Sequence, residues 1–209
     1  MTHRERLVQR IEWLLTHDQA TPTGDAIALP LLELVPSPPH ADWHWLPGFV
    51  TFTPATDWLP RVDSDIDVTA LRAGLLLLHD FIGESHQQSQ SIEGKGKHQL
   101  GDYWHAILHR REPDYANAKY WFRQFGPQPV FGELARSADA ILRSCASPQA
   151  DGWRTKLGCQ ANWNPFALVD FCQSCESSSD SDLTTAARQI QFAEMRLLFR
   201  QTYGQATGL

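Results

Sequence analysis

The chain has 209 residues, of which 42% are hydrophobic and 20% are charged, and this composition excludes disorder over the whole length. A chain of this size can bury a large core without disulfide or metal cross-links, so we expect a single domain over 1–209. Uninterrupted apolar runs such as 75–78 are far shorter than the roughly 18 residues of a membrane span, which argues against a membrane protein.

The charge balance, with 18 Lys and Arg against 24 Asp and Glu, gives a net charge of −6 and argues against a general nucleic-acid binder. The first residues lead into an amphipathic pattern and not into the apolar core of an export signal, so a cytoplasmic location is expected. Cysteines stay reduced there, and the single C-x-x-C motif has no second pair for a zinc site. We therefore expect free thiols packed in the core at Cys145, Cys159, Cys172 and Cys175.

The amino-terminal part of the chain combines one helical pattern with a long proline-rich segment. Apolar residues recur at helical spacing over 4–17, and the predicted helix ends before Pro22 and Gly24. The following segment, 18–66, holds eight of the 13 prolines together with several tryptophans. Prolines at this density disfavour helix and central strand, whereas the aromatic rings disfavour disorder. We therefore predict an ordered irregular segment that packs on the helices, with a short strand near 49–53 as an alternative for that part.

The rest of the chain shows helical periodicity. A long helix is predicted from Val68, capped by Asp65 or Asp67, with Gly83 as a candidate kink, and its pattern fades by Ile92. Its buried stripe is formed by Leu71, Leu75, Leu78 and Ile82. Further helices are predicted over 98–111, from Pro113 to Gly126, over 131–145, from Pro165 to Cys175 behind the cap Asn164, and over 183–203 behind Ser181. The predicted architecture is all-α, an array of six or seven helices in which 68–125 carries the site.

Histidines concentrate in the two central helices of this prediction. Five of the nine fall within a short stretch of chain, at His79, His86, His98, His105 and His109. On the second helix His98, Asp102, His105 and His109 lie within about 60° of one another, and on the first helix His79, His86 and Glu93 form a similar stripe. Two helices joined by a short glycine turn usually pack antiparallel, so both stripes are expected to face one cleft.

A cluster of this kind supports two chemistries. In the first, a divalent metal is chelated by the H-x-x-x-H pair His105 and His109, with Asp102, His79 or Glu93 completing the ligand set. In the second, no metal is present and the side chains act as general acid and base, the candidates being His79, His86, Asp102, His105 and His109. A third interpretation is that the polar face is only solvated or hydrogen-bonded.

Cationic and aromatic residues follow the histidines directly. The candidate ligand-binding residues are Tyr103, Arg110, Arg111, Lys119, Trp121 and Arg123. Their positive charge in an acidic chain favours a small anionic or polar molecule as the partner, held by guanidinium or ammonium groups between flat aromatic walls. Arg110 and Arg111 also end a predicted helix, where cations complement the helix dipole for structural reasons alone.

Two resemblances add to this interpretation. The stretch D-Y-W-H-A-I-L-H-R-R-E-P-D-Y, 102–115, resembles a family of uncharacterised proteins, and this resemblance implies membership without an activity. The stretch L-L-L-L-H-D-F-I-G-E, 75–84, is similar to the core of HD-domain phosphohydrolases. That similarity implies a metal-binding doublet of His79 and Asp80. The HD family also has a histidine upstream on a helix and a distal metal-binding aspartate, whereas here His40 and His44 lie in the proline-rich segment and the sequence does not distinguish Asp139 from Asp170.

The sequence therefore leaves several hypotheses about function open. The leading one is an enzyme or binder that acts on a small anionic or polar metabolite through the histidine, aspartate and arginine cluster. A non-catalytic module would bind a ligand in the same pocket without turnover. A protein-interaction module would use the aromatic residues from Trp43 to Trp58, and the similarity to HD domains implies a metal-dependent phosphohydrolase.

Overall fold

A computed structural model describes residues 1–18 and 28–209, so the predicted helix breakers Pro22 and Gly24 lie outside the described residues. The described part of the chain is helical and contains no strand, which confirms the predicted all-α class. Its ten α-helices are α1 (His3–Thr16), α2 (Leu46–Phe52), α3 (Asp65–Leu77), α4 (Ile82–Ser91), α5 (Leu100–Arg111), α6 (Tyr115–Phe122), α7 (Phe131–Ser144), α8 (Ala150–Lys156), α9 (Pro165–Glu176) and α10 (Ser181–Thr207). The predicted number of six or seven is too low.

The proline-rich segment contains regular structure that its composition conceals. Helix α2 occupies the place of the strand predicted near 49–53, so that prediction is wrong. Pro47 lies in the first turn of α2, where its missing N–H leaves no hydrogen bond unmade. Leu46 and Val50, four residues apart, are buried on one face and attach the helix to the core.

The long helix predicted from Val68 is divided into α3 and α4. The chain turns at Asp80, whose φ of +63° lies in the left-handed region that aspartate tolerates better than most residues. Arg111 holds this turn, because its guanidinium donates to the Leu77 carbonyl at 3.0 Å and to Asp80 Oδ1 at 2.6 Å. The division therefore depends on a residue of α5 that is far away in the sequence.

Most other helix ends lie within a few residues of the predicted ones. The cap predicted at Asn164 is confirmed, since its Oδ1 accepts from the N–H groups of Phe166 and Ala167. Ser64 caps α3 in place of Asp65 or Asp67, and Asp180 caps α10 in place of Ser181. Helix α5 begins at Leu100, two residues later than predicted, and α6 covers only the middle of the predicted 113–126 helix.

Helices α5 and α10 lie at the centre of the fold. Every residue of α5 is buried, and α10, with 27 residues, packs on α1, α3, α7 and α9. The backbone of α3 approaches α5 closely at Gly74, where an added Cβ would lie 2.5 Å from the Trp104 ring. The Trp104 indole N–H donates to Thr202 Oγ1 of α10 at 3.2 Å. This contact joins α3, α5 and α10.

Within the described residues, no helix is both long enough and apolar enough to cross a membrane. The four cysteines are free, and Cys159, Cys172 and Cys175 are buried. Burial raises the pKa of the Cys172 thiol to about 12, so this group stays protonated at neutral pH.

Candidate functional site

Helices α4 and α5 pack against each other as an antiparallel pair. Near their connection, the Ile92 side chain lies against Gly101, where an added Cβ would be only 2.5 Å from the isoleucine. Farther from the connection, the ring of His86 on α4 lies against the rings of His105 and His109 on α5. The register of the pair thus places one histidine of the first predicted stripe against two of the second.

These three residues, His86, His105 and His109, form the cluster that we call the histidine triad. The centroid of the His86 ring is 4.6 Å from that of His105 and 5.5 Å from that of His109, and the two α5 rings are 4.7 Å apart. One ring nitrogen from each residue lies within 4.8 Å of the other two. In the part of the chain that the structure describes, no other group of three His, Cys, Asp or Glu side chains comes this close.

His105 is the central member of the triad. It is 1% exposed, and its ring stacks on Trp121 of α6 with the centroids 3.9 Å apart. Neither ring nitrogen has a hydrogen-bond partner among the described residues. Burial, reinforced by the neighbouring His109 and His86, lowers the pKa of His105 to about 3. The imidazole is therefore neutral at physiological pH, with a lone pair available to a ligand.

His109 is oriented by two polar neighbours. Its Nδ1 lies 3.3 Å from Glu112 Oε2, and its Nε2 lies 3.1 Å from Asn117 Nδ2 at the start of α6. Burial lowers the pKa of His109, and the carboxylate of Glu112 partly opposes this effect. Carboxylates that contact the second nitrogen of a histidine are typical of the surroundings of metal ligands, because they fix the tautomer and the ring orientation.

The triad reaches solvent through His86, which is half-buried, whereas the other two imidazoles are buried. A metal bound by three imidazoles at 2.0–2.1 Å would hold the nitrogens roughly 3.3 Å apart. Closing the present spacing of up to 4.8 Å requires movements of the rings of roughly 1.5 Å at most. Side-chain rotation of the half-buried His86 can supply much of this movement.

Three other residues of the predicted stripes do not join the triad. Both carboxylate oxygens of Asp102 accept from the Gly94 N–H, at 3.2 and 3.1 Å, and so hold the turn between α4 and α5. Burial raises the pKa of Asp102, and the Gly94 contact opposes this shift. Glu93 is exposed in the same turn, and His98 precedes α5. The residue that lies beside the predicted ligand pair His105 and His109 is thus His86, and not Asp102 or Glu93.

His79 lies at a different place. Its Nε2 is 2.9 Å from Arg10 Nη1 of α1, its Nδ1 is 2.7 Å from the Leu75 carbonyl, and its ring centroid is 4.4 Å from that of Trp43. It lines a cavity of about 460 Å³ together with Arg6 and Arg10. The two predicted histidine stripes therefore meet only in part, because the turn at Asp80 separates His79 from His86.

Asp80, the second member of the doublet implied by the similarity to HD domains, is paired with Arg111 at 2.6 Å. No metal-sized group of ligating side chains among the described residues includes His79 or Asp80. Among the other residues compared with the HD pattern, His40 accepts from the Asp42 N–H, Asp139 pairs with two arginines and Asp170 pairs with Lys119.

The predicted ligand-binding residues are distributed over several places. Arg110 is buried and donates to Glu194 Oε2 of α10 at 2.6 Å, and the Tyr103 hydroxyl donates to Oε1 of the same carboxylate at 3.0 Å. Trp121 is the residue that stacks on His105, and Arg123 is exposed. Arg111 contacts Asp80 at the turn after α3, and Lys119 pairs with Asp170. The predicted ligand-binding cations therefore do not form one cationic patch.

Two residues at the triad were not among the predicted site residues. Glu112 follows His109 by three positions, which is helical spacing, so the sequence contained a signal for it. Asn117 lies on the next helix, and only the packing of α6 on α5 brings it to His109. The aromatic segment proposed as an interaction surface is largely internal, since Trp43 and Trp58 are each 3% exposed, although Phe52 is 85% exposed.

The acid stability of the protein is expected to depend on His79. Burial, with Arg10 and Arg6 adding to it, lowers the pKa of His79 well below its ordinary value near 6.5. For a histidine whose pKa is lower in the folded than in the unfolded state, the contribution to the free energy of unfolding is fully present above pH 6.5. It is lost as the pH falls, by up to about 1.4 kcal/mol per pH unit. His79→Gln should therefore lose less stability than the wild type between pH 6.5 and 4.5 in urea unfolding. The control variant His98→Ala should follow the wild type, and parallel pH profiles for all three proteins would contradict this prediction.

Comparisons of the chain with protein-family models, curated proteins and solved structures find no match. Its function is therefore inferred from its residues and their geometry.

Proposed function

We propose that the chain binds one divalent transition-metal ion through His86, His105 and His109 and uses an open coordination position to bind or transform a small anionic or polar molecule. The observation that carries this proposal is the triad itself, three imidazoles with ring nitrogens within 4.8 Å of one another. The two ring nitrogens of His105 also support the proposal, because both are buried without a hydrogen-bond partner among the described residues. Such a nitrogen is unfavourable unless a ligand occupies the site.

The donor set indicates the kind of metal. Imidazole nitrogens suit zinc, copper, iron and nickel, whereas magnesium and calcium prefer oxygen ligands. Three protein ligands with a fourth position left open are typical of catalytic zinc sites, whereas structural zinc sites use four protein ligands. Since imidazole binds a metal as an uncharged ligand, the full charge of the cation would act on whatever binds at the open position. This charge favours an anion or a polar oxygen atom.

The surroundings of the triad complete the proposed site. Glu112 orients the ring of His109 through Nδ1, and Trp121 fixes the ring of His105 by stacking. A metal at His109 Nε2 would take the place of the Asn117 amide donor. The half-buried His86 is the side from which a small molecule would reach the metal. When bound, such a metal polarises a carbonyl or phosphoryl oxygen, or lowers the pKa of a coordinated water to about 7. Metal-assisted hydrolysis is the reaction class that follows from this chemistry, and plain ligand binding is the alternative at the same site.

Cobalt(II) titration of the metal-free protein tests both parts of this proposal. Four-coordinate Co²⁺ absorbs visible light much more strongly than six-coordinate Co²⁺, so we expect strong bands that saturate at one equivalent. Addition of inorganic phosphate or acetate should then shift the bands, because the anion replaces water at the open position. The control variant His98→Ala, which removes a histidine outside the triad, should give the wild-type spectrum. Only weak six-coordinate absorption, or bands that persist in His105→Ala, would contradict the proposal.

A further inference from the structure

A cavity of about 590 Å³ lies apart from the triad, between the α6–α7 connection, the first turns of α7 and the start of α9. Five aromatic side chains contribute to its walls, namely Phe122, Phe125, Phe131, Trp163 and Phe166. The volume lies within the range of cavities that hold small organic ligands, which are commonly lined by apolar side chains with a few polar groups.

The aromatic walls are anchored to the core. The Phe125 ring stacks on Tyr103 with the centroids 5.0 Å apart, and the Phe131 ring meets the edge of the same tyrosine at 6.0 Å. Tyr103 is itself buried and held by Glu194 through its hydroxyl. Two of the aromatic walls are thus held in place by the core.

Two polar groups at the cavity indicate what it binds. Arg123 lines the cavity, has an exposed side chain, and is the sole ionisable residue among the described lining residues. Trp163 is 8% exposed, and its indole N–H is buried without a hydrogen-bond partner among the described residues. A buried N–H without an acceptor is unfavourable, so an oxygen atom supplied by a ligand would stabilise this side chain.

We propose that this cavity binds a small molecule with a planar apolar body and a single carboxylate. The body lies among the phenylalanine rings, where it makes offset-stacked or edge contacts. The carboxylate lies at the rim, where it accepts a charge-assisted hydrogen bond from Arg123. An oxygen atom of the ligand accepts from the Trp163 N–H.

This proposal does not rest on the triad. Trp121 stacks on His105, whereas the next residue, Phe122, lines the cavity. Successive residues of a helix point about 100° apart, so α6 presents different faces to the two sites. A variant that loses the triad should therefore still bind the ligand of the cavity.

Isothermal titration calorimetry with 2-naphthoate and its neutral analogue 2-naphthamide tests the proposal. We expect one naphthoate per chain and weaker binding of the amide. Arg123→Gln should weaken naphthoate binding about five- to tenfold and leave amide binding nearly unchanged, because only the charged group is lost. Arg200→Gln, which removes an exposed arginine of α10 outside the cavity, is the matched control and should bind both probes as the wild type does.

Two further variants test the location of binding. Trp163→Phe keeps the aromatic wall and removes the N–H, and it should weaken naphthoate binding about three- to tenfold. Ala135→Phe fills the cavity from α7 and should abolish binding of both probes, with folding checked by circular dichroism. Binding that is retained in His105→Ala supports a separate site. The proposal is overturned by the absence of naphthoate binding to the folded wild type, by equal affinity for the amide, or by binding that none of the cavity variants changes.

Discussion

The double variant His105→Ala/His109→Ala is expected to lose more than about 1,000-fold in Zn²⁺ affinity, because it removes two of three ligands and loss of a supporting contact alone costs about 10- to 100-fold. The two residues lie one helical turn apart on α5, with ring centroids 4.7 Å apart, so a single metal ion can be chelated by both. Competition titrations with a chromophoric chelator measure the affinity. The control His98→Ala should keep the wild-type value.

Two variants of residues that contact the His109 ring test the same prediction further. Glu112→Gln removes the carboxylate charge beside His109 and should weaken Zn²⁺ binding about 10- to 100-fold. Asn117→Ala should not weaken Zn²⁺ binding, since the Asn117 amide donates to His109 Nε2, the nitrogen whose lone pair a metal would use. If the double variant binds Zn²⁺ as tightly as the wild type, the triad is not the metal site.

Replacing Glu194 with alanine is expected to destabilise the fold by about 3–5 kcal/mol, which is the typical result of leaving one partner of a buried ion pair unpaired. Glu194 is fully buried and Arg110 is 1% exposed, so water cannot replace the lost carboxylate. Arg110 Nη2 lies 2.6 Å from Glu194 Oε2, and the Tyr103 hydroxyl would lose its acceptor as well. Urea unfolding at pH 7 measures the change in the free energy of unfolding.

A matched double variant distinguishes the effect of an unpaired buried charge from the effect of lost packing. Arg110→Met with Glu194→Leu removes both charges while keeping apolar volume, and it should be more stable than Glu194→Ala. Glu194→Gln keeps the shape and one acceptor oxygen and should fall between the wild type and the alanine variant. A decrease of less than about 1 kcal/mol in the free energy of unfolding of Glu194→Ala would contradict this prediction. It would indicate that water solvates the ion pair of Arg110 and Glu194.

The all-α class and several helices could be predicted because their signals are local. The apolar spacing in α1 and the Asn164 cap of α9 lie within one or two helical turns of the residues that they organise. The division of α3 from α4 could not be predicted in this way. It depends on Arg111, which reaches back to Leu77 and Asp80 from another helix. Periodicity continued across this turn and so concealed it.

The same turn explains which part of the candidate site was predicted. His105 and His109 share a face of one unbroken helix, so their spacing predicted the contact correctly. His79 and His86 would share a face only on a continuous helix, and the turn at Asp80 places His79 beside Arg10 instead. The angle of about 100° per residue predicts which residues share a face only within one continuous helix.

The cationic residues show a second limit of sequence reasoning. A local excess of Arg and Lys indicated an anionic ligand, but the partner of Arg110 is Glu194, 84 positions later in the chain. Lys119 pairs with Asp170 in the same long-range manner. A count of charge within one segment cannot include carboxylates that arrive from other helices, so it overstated the free positive charge. Among the predicted ligand-binding cations, Arg123 is exposed and lines the aromatic cavity.

The central claim, a metal ion held by the histidine triad, is tested most directly by elemental mass spectrometry of tag-free protein. Wild type and His105→Ala/His109→Ala would be purified in parallel, reconstituted with Zn²⁺, desalted and checked for folding by circular dichroism. We expect about one equivalent of a divalent transition metal in the wild type and almost none in the folded double variant. A wild-type protein without metal after reconstitution, or equal metal in both proteins, would contradict the claim.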